Sequence, residues 1–385
     1  MNICHLTKLF PPSTGGAEMY WHNLSNSLGR RGHNIDVITQ SYVGIDGDVD
    51  SHENVTVHRI RNSRRMVNLD TLAFSLKSRY VVDFSDYDVI HGSLRPASTV
   101  ALPTKSFDAP VVLTSHGTSY DAYKNTGGKS IKDMLFKHVF HPTNIVLDYY
   151  AGQRCNAVIA VSDHVADRLS NFYNINQDNI SQITPGLDTR IFYPRRTKNA
   201  EYTDPECFTL LFVGRIEPIK GIDILIKSLE KICDRANIEL IIVGKGSDEK
   251  RLRSLAESYD VEDTIKFVGQ IEHEQLPVLY SNSDLLVLPS EYESLSFVVR
   301  EAMACGLPTL CADVGGISTS VTHENNGYLV DRTPASFKHA LKNLMQNPER
   351  VKELGRNAAS SAQNWSWDMN AQETETLYKK LVSES

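Results

Sequence analysis

The sequence predicts an α/β protein of two doubly wound domains, each a parallel sheet flanked by helices. Three observations carry this. Short β-branched runs alternate with amphipathic stretches along the whole chain, the pattern of βαβ units in a parallel sheet. The rhythm lapses at residues 191–206, IFYPRRTKNAEYTDPE, where two prolines and several charges mark a domain boundary. A length of 385 residues suits two domains.

In the first domain, residues 1–195, the strand-like runs are 2–6, 34–39, 55–60, 89–91, 111–114, 157–161 and 180–183. Helical spacing covers 18–30, 142–154 and the segment after Ser162. The second domain, residues 206–364, repeats the alternation. Its strands are expected at 208–213, 240–243, 264–268, 285–288, 309–311 and 328–330, with helices opening near Ile222, Asp248 and Glu274 and a central helix through Phe297. In open parallel sheets ligands lie beyond the carboxyl ends of the strands, so a cleft shared by two such domains is the expected site.

Composition narrows the chemistry. The chain is 41% hydrophobic and 23% charged with a formal charge of −7, which argues against a surface given over to nucleic acid. Six scattered cysteines, without a C-x-x-C or a histidine pair at zinc spacing, indicate neither a disulfide framework nor a metal knuckle. The N-terminus begins directly with a strand and no apolar run has the length of a bilayer span, so the reduced cytoplasm is the expected compartment.

The stretch LPSEYESLSFVVREAMACGLPTL, residues 288–310, reads as strand, loop and helix. Glu293 falls in the loop, and Glu301 lies about two turns inside the helix. Between them, the backbone N–H groups of Ser294, Leu295 and Ser296 are expected at the helix start, where the dipole favours an anion. Such donors suit a phosphate, and carboxylates accept from sugar hydroxyls; the bland alternative is a solvated helix face. In LLFVGRIEPIKGID, Arg215 follows a strand and Lys220 precedes the glycine that opens a helix, so two cations can meet over one anion. Gly15 and Gly16, in PPSTGGAE, let backbone approach a ligand or simply form a strand-to-helix turn. His116, in SHGTSYD, stands at a strand end as a ligand contact or as an ordinary loop histidine. Gly244 and Gly246 permit a tight turn, but Glu249 occupies the third glycine position of a dinucleotide fingerprint, which therefore fails. Gly269 with Ile271, and Gly315 with Gly316, mark further strand ends.

The order P-S-x-x-E, E-x7-E and EAMACGLP, together with G-R-x(4)-K-G at residues 214–221, resembles the retaining GT-B glycosyltransferases of family 4. VSDHVADRL and TPGLDTRIFYP resemble framework motifs of the same family, although Pro185 stands where asparagine is common. The resemblance implies two facing Rossmann-like domains, with a C-terminal helix over residues 365–385 returning to the first domain on Trp365, Trp367 and Tyr378. It also implies transfer of a sugar from a nucleoside diphosphate with retention, by front-face attack, the departing phosphate taking the acceptor's proton and no metal being required. Arg215 and Lys220 would then hold the diphosphate, and Glu293 and His116 the donor sugar. Glu301 would take the ribose, backbone near Ile271 the base, and Gly15, Gly16, Gly244, Ser294, Leu295 and Ser296 the neighbouring phosphate or sugar.

Partners follow from the same resemblance: a nucleotide-sugar donor and a glycan, lipid-linked or small-molecule acceptor, with no cofactor. HRIRNSRRM (58–66) and KSIKDMLFKHVF (129–140) would suit peripheral contact with an anionic membrane, against the plainer readings of loop and core helix. DGDVD at 46–50 and DYD at 86–88 sit wrongly for a metal-dependent transferase. A GT-B epimerase and a non-catalytic nucleotide-sugar-binding protein are the alternatives.

Overall fold

The computed structural model describes residues 1–11, 16–41, 52–61, 74, 77, 78, 82–94, 108–125, 134, 136–195, 202–204, 206–230, 232 and 237–385. They form two compact units, Met1–Gly186 with Trp367–Ser385, and Leu187–Ser366.

The first unit holds strands β1 (Asn2–Leu6), β2 (Asn34–Ser41), β3 (Val55–Arg61), β4 (Val89–Ser93), β5 (Val111–Ser115), β6 (Ala157–Ala160) and β7 (Ile180–Gln182). They make one parallel sheet in the order β3-β2-β1-β4-β5-β6-β7. β4, β5 and β6 are buried along their whole length, which explains the apolar runs at 89–90, 111–113 and 157–160. Around them lie helices α1 (Gly16–Arg30), α2 (Ser119–Asn125), α3 (His141–Gly152) and α4 (Asp163–Asn171). The Ser162 hydroxyl caps α4 by accepting from the Val165 N–H. α2 opens on a cap that the periodicity did not reveal. Thr118 Oγ1 accepts from the Asp121 N–H at 3.1 Å and donates to its carboxylate at 2.6 Å.

The second unit has strands β8 (Phe208–Val213), β9 (Ile238–Val243), β10 (Ile265–Gly269), β11 (Leu285–Leu288), β12 (Thr309–Ala312) and β13 (Gly327–Val330), all parallel in the order β10-β9-β8-β11-β12-β13. Its helices are α5 (Ile222–Leu229), α6 (Glu249–Ser258), α7 (Leu276–Asn282), α8 (Phe297–Ala304), α9 (Pro334–Gln346) and α10 (Pro348–Ala362). Leu187 and Phe192 already belong to this unit's core, so the changeover falls at Gly186, ahead of the proline-containing stretch. A buried glutamate is tolerated in β9. Glu239 accepts from the Thr209 hydroxyl at 2.7 Å and pairs with Lys266 at 2.6 Å.

Helix α11 (Trp367–Glu384) belongs to the first unit and lies against α1, burying Trp367, Ala371, Tyr378 and Leu381. Gly186 is needed where the chain meets it, since a Cβ there would stand 2.5 Å from the Trp367 Cα. Trp365 corrects one expectation. It is not an anchor of the returning helix but packs on the second unit, with the Arg300 guanidinium 4.4 Å from its ring centroid. A single residue, Ser366, separates the tryptophans, and the boundary between the units falls there, placing them in different cores. Among the described residues no helix is long and apolar enough to cross a membrane.

Candidate active site

Strand order reverses in the second unit between β8 and β11, and the loops leaving these two strands meet beyond their carboxyl ends, where a ligand crevice is expected. From β8 come Gly214, the exposed Arg215 and a single 3-10 turn, Pro218–Lys220. Gly221 follows at φ 67°, and a Cβ there would lie 2.3 Å from the Pro289 carbonyl oxygen of the loop after β11. The Glu291 N–H donates to the Ile219 carbonyl at 2.8 Å, so the two loops are joined by backbone. That junction brings the Lys220 ammonium to 2.6 Å from Glu293 Oε1, which also accepts from the Ser290 hydroxyl at 2.7 Å. Both side chains are largely buried, at 18% and 12% exposure. Glu293 Oε2 and the Arg215 guanidinium have no partner among the described residues.

A third loop fixes the Glu293 backbone. Gly315 has φ 57° and packs so closely that a Cβ would stand 1.9 Å from the Glu293 carbonyl oxygen, which accepts from the Gly316 N–H at 2.8 Å. Gly244 plays a similar part beside β9. At φ 138°, with its would-be Cβ 1.9 Å from the Gly214 oxygen, it admits no side chain, and its N–H donates to Gly269 at 2.7 Å. Ile271 is half-buried against the core.

Glu301 lies inside α8 and is buried. Its carboxylate accepts from the Tyr280 hydroxyl at 3.0 Å and pairs with His273 Nε2 at 2.9 Å. The hydrogen bond to Glu301 raises the His273 pKa above its ordinary 6.5, and Phe192 meets the imidazole edge-on at 5.0 Å between centroids. α8 begins at Phe297, so Ser294, Leu295 and Ser296 precede it rather than forming its first turn. The positive φ of 74° at Ser296, uncommon for a residue with a Cβ, breaks the helix there.

In the first unit His116 directly follows β5, before Gly117 at φ 149°. Burial lowers its pKa to about 4, and Nε2 is shielded from water without a hydrogen-bond partner. Gly16 is the first residue of α1 and exposed; Gly15 lies outside the described residues.

Two family models cover the chain in sequence, Glycosyltransferase Family 4 over residues 14–191 and Glycosyl transferases group 1 over residues 195–361. The chain belongs to the GT-B glycosyltransferases. It is similar to an uncharacterized glycosyltransferase of Methanocaldococcus jannaschii, 28% identical over 398 residues that cover 98% of each chain. A D-inositol 3-phosphate glycosyltransferase of Catenulispora acidiphila is 26% identical, over 99% of this chain and 94% of that one. Among solved structures, the fold matches sucrose-phosphate synthase from Thermosynechococcus elongatus with a TM-score of 0.85 at 23% identity, over 100% of both chains. HepE of Anabaena, solved in complex with UDP, matches with a TM-score of 0.75 at 20% identity, over 98% of this chain and 100% of that one.

Within this glycosyltransferase the second unit gathers Lys220, Glu293 and the Gly315–Gly316 loop into one contact set, and Glu301 into another with His273 and Tyr280. His273 and Tyr280 were not legible as site residues, because the sheet alone brings them to a carboxylate 28 and 21 residues away. Ser290 lay in plain view inside the P-S-x-x-E motif. Of the DYD aspartates, Asp88 accepts from the Asn2 N–H at 2.7 Å. Residues 46–50, and much of the two basic stretches (62–66, 129–133 and 135), lie outside the described residues.

Proposed function

We propose that the chain moves a sugar from a nucleoside-diphosphate sugar to a glycan, lipid-linked or small-molecule acceptor with retention of configuration. The observation that carries this is the Lys220–Glu293 pair at the sheet's switch point. An ammonium has three donors and one is spent on Glu293, so two remain for the diphosphate oxygens. Glu293 Oε2 is left to accept from a sugar hydroxyl, while Oε1 is held by Lys220 and Ser290. Arg215, unengaged by any described residue, adds a second cation as the leaving group gains charge. Ser294, Leu295, Ser296 and Gly244 supply close backbone beside the donor, Glu301 the ribose contact and backbone near Ile271 the base contact. His116, neutral at physiological pH, serves the donor sugar together with Gly15 and Gly16.

The departing phosphate accepts the acceptor's proton as the new bond forms on the same face, so no protein base and no metal enters the proposed sequence. Relatives carry names that include inositol 3-phosphate and UDP, and these set the first probes. The test is a panel of UDP-, GDP- and ADP-sugars incubated with the purified chain, with and without EDTA. Release of nucleoside diphosphate from at least one, undiminished by EDTA and joined to product of unchanged anomeric configuration, is expected. Return of an isomeric nucleotide sugar would make the chain an epimerase, and binding without turnover would make it a sensor or carrier.

A further inference from the structure

The first unit contains a buried polar chain that the donor chemistry does not use. It starts on α11, where the Tyr378 hydroxyl lies 2.5 Å from His91 Nδ1. His91 Nε2 is 2.7 Å from Thr114 Oγ1, and Thr114 Oγ1 is 3.2 Å from the Tyr20 hydroxyl. Tyr20 then meets the His116 ring edge-to-face, at 4.6 Å between centroids and 79° between planes. Tyr378, His91, Thr114 and Tyr20 are each fully buried, and they come from α11, β4, β5 and α1 in turn.

The polarity of this chain is determined by its members. Burial, with His5 and His116 nearby, keeps His91 neutral, so one ring nitrogen donates and the other accepts. Each hydroxyl beside it can donate once and accept, so the bonds can all run one way, from Tyr378 towards Tyr20 or back, with no member left unmatched. The Tyr20 ring is also held by Trp21 at 5.4 Å and by Trp367 of α11 at 5.8 Å. Its position is therefore set at both ends by the returning helix, through the hydroxyl relay and through Trp367. His116 has no such tether, since its Nε2 lacks any partner among the described residues. The contact that bears on the imidazole is its T-shaped packing with the Tyr20 ring.

We infer that Tyr20 is a positioning residue for His116, and that Tyr378 of the C-terminal helix holds Tyr20 in place through His91 and Thr114. The inference rests on the donor role proposed for His116, but the contact itself can be tested without turnover. Histidine-labelled protein gives the His116 imidazole resonances, assigned by their loss in His116→Gln, as a direct reading of ring environment and tautomer. In Tyr20→Leu these resonances should move and show mixed tautomers. In Tyr20→Phe, which keeps the ring and loses the hydroxyl tether, the shift should be smaller than in Tyr20→Leu and at least as large as in Tyr378→Phe. Tyr378→Phe, which leaves every contact to His116 intact, should shift the signals in the same direction as Tyr20→Leu by a smaller amount. With a nucleotide sugar that the donor panel identifies, Tyr20→Leu should lower kcat about 10- to 100-fold and change the donor KM by less than about threefold, as expected of a misplaced group. Tyr20→Phe, which keeps the ring contact but not the tether, should recover part of that loss. Unchanged His116 resonances in a folded Tyr20→Leu or Tyr378→Phe protein would overturn the inference. If no nucleotide sugar is turned over by the wild-type chain, the functional reading fails, and the resonances still decide the positioning role.

Discussion

Lys220 and Glu293 stand 73 residues apart and meet at 2.6 Å because a backbone bond joins the loops that carry them. An exposed pair of this kind contributes little, but this one is mostly shielded and sits where the donor's diphosphate is proposed to lie. Lys220→Ala removes the cation and leaves Glu293 with Ser290 alone; Glu293→Ala removes the sugar acceptor and frees the ammonium. Each is expected to cut release of nucleoside diphosphate by at least about 100-fold, the scale of a lost transition-state contact. Circular dichroism should show an unchanged fold, and near-normal turnover in either variant would remove that residue from the site. Both residues were legible in the sequence because their spacing to neighbouring glycines and proline is local. Their shared contact was not, nor was the His273–Glu301–Tyr280 set, because it joins α8 to the segment around α7 across strand β11.

The loops at the carboxyl ends of the second sheet depend on glycines for a physical reason that single elements show clearly. Gly315 has both a left-handed φ and an oxygen 1.9 Å from its absent Cβ, and the oxygen belongs to Glu293. Gly315→Ala must therefore push the Glu293 backbone away or unwind its own turn. About 2–4 kcal/mol of destabilisation is expected from the strained dihedral and the overpacking together. Donor turnover should fall even where the variant is folded, and chemical denaturation alongside kinetics checks both. Gly269→Ala makes a fair contrast, since its φ of 79° is strained too, but nothing lies within 4 Å of the new Cβ. Strands were the most legible elements, since parallel strands buried on both sides write continuous apolar runs. The helices overlooked were α2, α9 and α10, and each carried a local opening signal: Thr118 with Asp121, Thr333 before Pro334, and Asn347 before Pro348. The helix through Phe297 was foreseen, but not its delayed start, which turns on the backbone angle at Ser296.

At the scale of the molecule, the chain ends in the unit where it began, and α11 is held there by apolar burial, by the buried hydrogen bond between Tyr378 and His91, and by ion pairs from Arg30 and Arg31. Each large apolar side chain it buries contributes about 1.5–3 kcal/mol, so Trp367, Tyr378 and Leu381 supply most of the attachment. The polar contribution centres on Glu375, which lies 2.6 Å from Arg31 of the segment after α1 and 2.5 Å from Lys379. Lys379 first, then Arg31, lower its pKa from 4.5 to about 2. Because the folded-state pKa is depressed, this carboxylate's contribution is fully present above about pH 4.5 and is lost as pH falls towards 2. His33, whose Nε2 is 3.4 Å from the same carboxylate, has a pKa lowered from its ordinary 6.5, chiefly by burial, and is a second titrating neighbour. Amide exchange in α11 and α1 should therefore quicken as pH is lowered from 4.5, after correction for the intrinsic rate, while β8 to β13 keep their protection. Glu375→Gln should raise exchange in these two helices already at pH 7 and weaken the acid dependence. If the variant kept the wild-type pH profile, the attachment of α11 would rest on its apolar side chains and the acid sensitivity would have to be sought elsewhere in the first unit.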